Sequence, residues 1–574
     1  MQARPLLLLT LMLLWPWPAA SDPPGGGATP LRVQLMWHHQ AEFAGLYVAE
    51  VRRHFARAGL DVELIEGALG TDSLAALRAG KADIAVAWLD AAMDSQSAAA
   101  PVSNIAQIFD GSSLLLLCRV SAGIYTPADL AGASIGVWNL GDEQAVRSML
   151  RGLDIPLDSV DLVPQRADGI DLVDATLPCV TALTYNEYWR ILAQGVEARD
   201  LLIIRPDELG VEHVENGLYV LTERLDDPAF HAALVRFLRA LREGWREAQS
   251  APTLAVAAIR HFAPDADPEH QRLMLESVSE LIPPPERFGL LDLERYDRVS
   301  RMRLLDGETE PQPPVWTHSV WNTLRQADGH DGLLTPATAH YADWLVKQPA
   351  FRAFVLLGVL TFALSGLLEA VNRGYDFWGR LILAALSGLG GGTLRDFLIG
   401  AERLPLFYVV EPVFPLSILA LVVITSVIVA RFRNIHETRS FKRVKTWSDV
   451  IGFSVLAVVG AQVAIAADMP WFWVPVCAAL TCAGGGMLRD IVINREPRTF
   501  QGEIYEEAAM VGALVLVAGL VVAKHFEHTA LPVYLSGAAA IGAVLLIRVL
   551  VQSLGLRYPT AFLGPAQGTT HRPS

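Results

Sequence analysis

Seven apolar stretches follow one another after Phe351, at roughly 353 to 371, 378 to 399, 408 to 430, 449 to 467, 472 to 493, 507 to 523 and 531 to 551. Each is long enough to cross a bilayer as a helix, so this part of the chain is expected to satisfy its backbone polar groups within helices, in lipid. An internal duplication runs through it. Ala384-Ala385-Leu386, Gly390-Gly391-Gly392 and Leu394-Arg395-Asp396 recur 94 residues later as Ala478-Ala479-Leu480, Gly484-Gly485-Gly486 and Leu488-Arg489-Asp490, and Gly366 and Gly460 share the offset. A repeat of three helices is odd-numbered, so its second copy enters the membrane from the opposite side, giving inverted three-helix repeats followed by one added helix.

Two readings of the repeated motif stand side by side. Three glycines weaken a helix and free its carbonyls to line a wet path, and an Arg-Asp pair is costly in hydrocarbon unless it faces protein or water. Gly390, Gly391, Gly392, Arg395, Asp396, Gly484, Gly485, Gly486, Arg489 and Asp490 are therefore pore or gate candidates. The alternative is close helix packing with interfacial salt bridges. Matched recurrence favours the pathway.

The front of the chain belongs to a different environment. Residues 351 to 574 hold 18 Lys and Arg against 14 Asp and Glu, which leaves 28 against 47 before them in a chain of net charge -15. An acidic front argues against nucleic acid as a partner. Arg4, the apolar run Leu6 to Trp15 and the small residues Ala19, Ala20 and Ser21 read as an export signal over residues 1 to 21. Short apolar strands alternate with amphipathic helices from Leu31 to Leu305: strands at 31 to 36, 62 to 65, 84 to 88 and 135 to 138, helices at 45 to 58 and 71 to 79. The expected fold is α/β with a largely parallel sheet, in two lobes, the chain returning to the first lobe near Gly217 to Leu221. The expected domains are a binding domain over 30 to 310, a linker and juxtamembrane helix over 311 to 350, the seven-helix domain over 351 to 555 and a tail over 556 to 574. Glu308 to Pro314 is proline-rich and expected to be extended, and Tyr341 and Trp344 suit a membrane interface. Lys and Arg between 431 and 445, with Arg495, Arg498, Arg548 and Arg557, place those loops and the tail in the cytoplasm, consistent with an exported amino-terminal domain in a bacterial inner membrane.

Several ordered motifs carry a resemblance. Trp37, Glu42-Phe43-Ala44-Gly45-Leu46-Tyr47-Val48-Ala49, Gly80-Lys81-Ala82-Asp83-Ile84, Gly136-Val137-Trp138, Tyr185-Asn186-Glu187-Tyr188 and Asn216-Gly217-Leu218-Tyr219-Val220 together resemble the thiamine-pyrimidine and alkanesulfonate class of solute-binding proteins. The resemblance implies two lobes closing on a small ligand, an aminopyrimidine being one plausible class. Cleft candidates are Trp37 and Trp88 at strand ends, Gly141 and Asp142 after a second-lobe strand, and Tyr185, Asn186 and Glu187 after another. Indoles stack on flat heterocycles and Glu187 accepts hydrogen bonds from amines, while core packing serves Trp88 equally well. The resemblance also extends to the thiamine pyrimidine synthase, an enzyme whose cysteine run has no counterpart here, so no catalysis is expected. No cofactor or metal is expected either. His38 and His39 are adjacent on an extended segment and point apart, and the four cysteines have no ligand spacing. Cys118 and Cys179 can pair in an oxidising compartment, and buried free thiols are the preferred reading.

The duplicated motif, with Ala363-Leu364-Ser365-Gly366, Arg373-Gly374, Asp376, Pro405 and Pro497, resembles the trimeric intracellular cation channel family, including bacterial members known as glycine-transporter domains. This implies a homotrimer conducting a monovalent cation such as potassium. The leading expectation is a solute-binding module whose occupancy alters an attached channel. The alternative is a tethered receptor that delivers a small solute, glycine or a pyrimidine, to a transport path.

Overall fold

The computed structural model describes residues 27–96, 99–305, 314–329, 333–400, 405–431, 439–467, 469–497, 504 and 506–556. The export signal, most of the proline-rich linker, residues 432–438 of the 431 to 445 loop and the tail beyond 556 lie outside the described residues. The chain divides into two compact units, one reaching Leu324 and one from Arg325 onward that also takes Asp292–Glu294.

The first unit is built on two five-stranded sheets. Strands β1 (Thr29–Gln34), β2 (Leu60–Ile65), β3 (Ile84–Ala87), β4 (Val102–Gln107) and β10 (Gly217–Leu221) form one, in the order β2-β1-β3-β10-β4. The second holds β5 (Leu114–Arg119), β6 (Ser134–Val137), β7 (Asp161–Pro164), β8 (Cys179–Leu183) and β9 (Leu201–Ile204), in the order β7-β6-β8-β5-β9. The expectation of a largely parallel sheet is corrected. β1 runs parallel to β2 and β3, and β6 parallel to β7 and β8, but β10 is antiparallel to β3 and β4, and β5 to β8 and β9. The reason lies in the lobe crossings. β5 enters the second lobe directly from β4, and β10 re-enters the first from β9, so each inserts into its new sheet against the local direction.

The preferred reading of Cys118 and Cys179 as free thiols is also corrected, because they face each other across β5 and β8 as a disulfide with Cα atoms 4.1 Å apart. A separation of 61 residues hides this pairing from any local reading. Directly opposed residues in an antiparallel ladder bring Cβ atoms within bridging distance. Closing such a loop restricts the unfolded chain by about 4 kcal/mol. Replacing both cysteines by alanine is thus expected to lower the unfolding midpoint of this unit by several degrees, read by calorimetry with and without reductant; a midpoint indifferent to both would contradict the bridge.

The helix expected over 45 to 58 is interrupted. α1 (Ala44–Val51) ends and Arg53 takes φ 59° before a further turn at His54–Arg57. That break turns Phe55 into the core, stacked on Phe237 with centroids 5.0 Å apart. α5 (Pro228–Ser250) crosses α1 so closely that a Cβ at Gly244 would lie 2.2 Å from the Gly45 carbonyl. Three further helices bear on the cleft: α2 (Leu89–Asp94), α3 (Asp142–Gly152) and α4 (Glu187–Ala193), with α6 (Pro268–Ser279) beside them.

The second unit is helical. Among the described residues α7 (Pro336–Lys347) precedes seven long helices: α8 (Pro349–Asn372), α9 (Phe377–Ile399), α10 (Val413–Arg431), α11 (Arg439–Ala466), α12 (Trp473–Val492), α13 (Glu506–Ala523) and α14 (Leu531–Leu554). Six of these, among the described residues, contain stretches long and apolar enough to cross a membrane, α12 being the other, with Arg489 and Asp490 near its end. The duplication is visible in the packing. A Cβ at Gly391 would meet the Thr481 carbonyl oxygen at 2.0 Å, and one at Gly485 would meet that of Ser387 at 2.5 Å. Gly366 likewise abuts Ser387 Oγ and Gly460 abuts Thr481 Oγ1, at 2.2 and 2.4 Å from the added carbon. Adding 94 to one partner of each contact and subtracting it from the other exchanges the members of the first pair, which is the self-complementary signature of a two-fold relation between the repeats.

Candidate functional site

The first unit closes on a small cavity of about 20 Å3, lined by Met36, Trp37, Gln40, Glu42, Trp88, Trp138, Leu140, Leu183, Asn186 and Glu187. The lobes contribute equally to it. Trp88 directly follows β3 and Trp138 directly follows β6, while Asn186 and Glu187 open α4 just beyond β8. Strand ends of this kind converge on the crevice of an open α/β sheet. Glu42 comes from a different device, the single turn Ala41–Phe43 that leads into α1.

The hydrogen bonds that hold each carboxylate come from its own lobe, and the Tyr185 hydroxyl of the second lobe also approaches Glu42. Glu42 accepts hydrogen bonds from Gln40 Nε2 at 2.7 Å and from Asn216 Nδ2 at 2.9 Å. Asn216 also accepts from Trp88 Nε1 at 3.3 Å, so one side chain aligns an indole and a carboxylate. Asn216 stands at φ 50°, a left-handed conformation that asparagine tolerates. At Gly217 a Cβ would lie 2.3 Å from Asn104 Nδ2, which accounts for the Asn-Gly motif at this point. Glu187 accepts from the Leu183 amide at 3.0 Å and from Asn186 Nδ2 at 2.7 Å. Burial raises both carboxyls to about 7; Gln40 and Asn216 pull Glu42 back, and the Leu183 amide pulls Glu187 back. Two acids that change charge near neutrality therefore share one aromatic cleft.

The sequence-read candidates divide by position. Trp37, Trp88, Asn186 and Glu187 line the cavity. Trp88 packs edge-on against Trp138 and His213, with centroids 6.3 and 4.9 Å away. Gly141 lies outside the lining, at φ 110°, where an added Cβ would sit 2.7 Å from Asp90 Cβ of α2, so it marks contact between the lobes. Asp142 is fully buried behind the cavity, accepting from the Trp138 amide at 2.9 Å and from Thr181 Oγ1 at 2.8 Å, and thereby fixes the turn that presents Trp138. Tyr185 is buried behind the lining too, edge-on to Phe109 at 6.1 Å. Burial and the nearby Glu42 charge push its hydroxyl well above the usual tyrosine range. Glu42, Gln40, Trp138 and Asn216 were missed as site residues. Trp138 had the same strand-end position that singled out Trp88; Glu42 had no such signal.

The second unit holds a larger cavity of about 710 Å3. Gly392, Arg395 and Asp396 line it, with Arg352, Glu411 and Gln462 among its other polar walls. Arg395 donates to Asp396 Oδ1 through Nε and Nη2 at 2.9 and 2.7 Å, and both residues are buried. Arg489 and Asp490 repeat this pairing at 2.9 and 2.8 Å, outside the cavity lining. The triplets also divide. Gly390, Gly391, Gly484 and Gly485 sit at the crossing of α9 and α12, while a Cβ at Gly486 would meet its first neighbour at 3.9 Å.

These features define a two-part membrane protein, in which a two-lobed α/β binding module precedes a helical module built on a duplicated glycine motif. Residues 40–255 match the NMT1/THI5-like family, and residues 352–431 and 446–520 match the glycine transporter family. The second module is 30% identical over 173 residues to the UPF0126 membrane protein YvgT of Bacillus subtilis, covering 30% of this chain and 81% of that one. Through this module the chain belongs to the UPF0126 membrane-protein family, here fused to an NMT1/THI5-like solute-binding domain. The first module is 22% identical over 301 residues to the formylaminopyrimidine-binding protein of Halalkalibacterium halodurans, covering 51% of this chain and 90% of that one. Among solved structures, the trimeric intracellular cation channel orthologue from Rhodobacter sphaeroides is 31% identical over 36% of this chain and 100% of its own, with a TM-score of 0.32.

Proposed function

We infer that the first module is a receptor for a flat, hydrogen-bond-donating nitrogen heterocycle of the aminopyrimidine class, and that its occupancy sets passage of a monovalent cation, potassium above all, through the second. The carrying observation is the cleft itself, in which one carboxyl from each lobe faces a space framed by three indoles. The lining contains Glu42 and Glu187 but no lysine, arginine or histidine among the described residues. Such walls disfavour a sulfonate, whose charge would meet like charge in a poorly solvated site, and favour amino groups that donate to both acids. A cavity of about 20 Å3 holds about one water, so a heterocycle enters only by parting the lobes.

On this reading α12 counts as a crossing, the second module spans the membrane seven times as inverted repeats, and three copies assemble with one path each. The binding module then lies in the periplasm and the carboxy terminus in the cytoplasm. The Cys118–Cys179 bridge supports an oxidising location. Binding and conduction suffice for this role, without catalysis. A second reading, delivery of the captured solute itself, draws support from the 710 Å3 cavity, a volume suited to a small organic molecule.

Full-length protein in detergent is expected to gain several degrees in its first unfolding transition with a saturating aminopyrimidine and none with an alkanesulfonate, read by differential scanning fluorimetry. In proteoliposomes the same ligand is expected to change potassium flux at least several-fold. Stabilisation by the sulfonate alone would sink the ligand assignment, and accumulation of labelled ligand without ion flux would select delivery.

A further inference from the structure

The two repeats do not use their shared architecture alike. Shifting the wall of the open cavity by 94 residues carries Val355 to Asp449, Val359 to Phe453 and Gly388 to Cys482. Where α8 offers a valine, α11 offers a carboxylate. That carboxylate is engaged by α14, which lies outside the duplication: Arg548 Nη2 is 3.4 Å from Asp449 Oδ2. The guanidinium also lies 4.9 Å over the Phe453 ring and reaches the Ile504 carbonyl from Nη1 at 3.4 Å. Ser365 Oγ of α8 stands 3.5 Å from the other Asp449 oxygen. Cys482 is fully buried and feels the charges of Arg548 and Glu506. Thus two of the three positions equivalent to that part of the open wall contact one arginine, which is 2% exposed, and the third, Cys482, is fully buried.

If every helix crosses in turn, the start of α8 and the end of α9 lie at one membrane face, and the start of α11 and the end of α14 at the other. The first repeat then opens a cavity toward one face, and the equivalent region at the opposite face contains Arg548. We propose that Arg548, paired with Asp449, is a plug that closes the second repeat's counterpart of the open cavity, and that passage through the module requires the pair to part. The proposal rests on reading the second module as a conduit. Its physics is that of a buried charge pair, whose Coulomb attraction is offset by desolvation, so that hydration of the separated partners keeps opening within reach. Contacts of 3.4 Å are longer than the 2.7 to 2.9 Å of a tight charge-assisted bond, which suits a pair that must release.

Cys482 provides a reporter. The other free thiol is Cys477, so Cys477→Ser leaves a single labelling site in the full-length protein. In that background Cys482 is expected to resist a small methanethiosulfonate reagent, and Arg548→Ala is expected to speed its labelling at least tenfold and to raise potassium flux from proteoliposomes several-fold. Asp449→Asn, which keeps the bulk of both side chains but weakens their attraction, is expected to fall between and covers the case in which the alanine variant does not fold. Labelling and flux at the parent rates in the folded variants would overturn the plug. Faster labelling with no flux in any variant would uphold the occlusion and reject the conduit.

Discussion

Gly391→Ala is expected to cost the second module about 3 kcal/mol, whereas Gly486→Ala, at the third position of the other triplet, costs nothing or stabilises. Both changes add one methyl group to a helix, and ordinary helix propensity would make both favourable by up to about 1 kcal/mol. Geometry reverses the sign at Gly391. Its new carbon would lie 2.0 Å from the Thr481 carbonyl oxygen, and backbone cannot rotate away as a side chain can. α9 and α12 would have to separate at their crossing, taking with them the contacts of Gly390 and Gly484. Gly485→Ala, facing the Ser387 carbonyl at 2.5 Å, is expected to behave like Gly391→Ala because the two contacts are exchanged by the repeat. The measurement is the temperature at which detergent-purified protein loses its size-exclusion peak. Equal midpoints for Gly391→Ala and Gly486→Ala would remove the close crossing from the account of the triplets.

That contrast shows what the sequence could and could not say. The duplication was legible because identical residues recur at one offset, but identity does not distinguish the glycine a neighbouring backbone requires from the one left open. In the first module, strand positions were legible because short apolar runs such as Ile84–Ala87 are bounded by turn residues, and strand ends then pointed to Trp37, Trp88, Asn186 and Glu187. The direction of β5 and β10 was not, since it follows from which lobe the chain is leaving, a property of topology without a local mark. For the same reason nothing local decided between a Cys118–Cys179 bridge and free thiols. Glu42 escaped because its burial depends on Gln40 beside it and Asn216 far along the chain, which meet only in the folded lobe.

Glu42 and Glu187 should give the binding module two pH dependences of opposite sign. Each carboxyl is raised from 4.5 to about 7 by burial. A buried acid of raised pKa binds its proton more tightly folded than unfolded, so its contribution to the ligand-free fold is most favourable below 4.5. It declines as pH rises toward 7 and is flat above, with a total of roughly 3 kcal/mol per group. Ligand binding runs the other way. An amino group donates to the ionised carboxylate, so affinity for an aminopyrimidine is expected to climb between pH 6 and 8, whereas the empty module has lost its carboxyl-linked stability by about pH 7. Glu42→Gln should flatten part of the stability profile and remove part of the affinity profile; Glu187→Gln should do the same from the opposite lobe. The check is the unfolding midpoint with and without ligand across pH 5 to 8, taken as the difference between parent and each variant so that other titrating groups cancel. A ligand-induced shift that is as large at pH 5 as at pH 8 would mean that these acids do not meet the ligand, and the cleft would then have to work through its indoles alone.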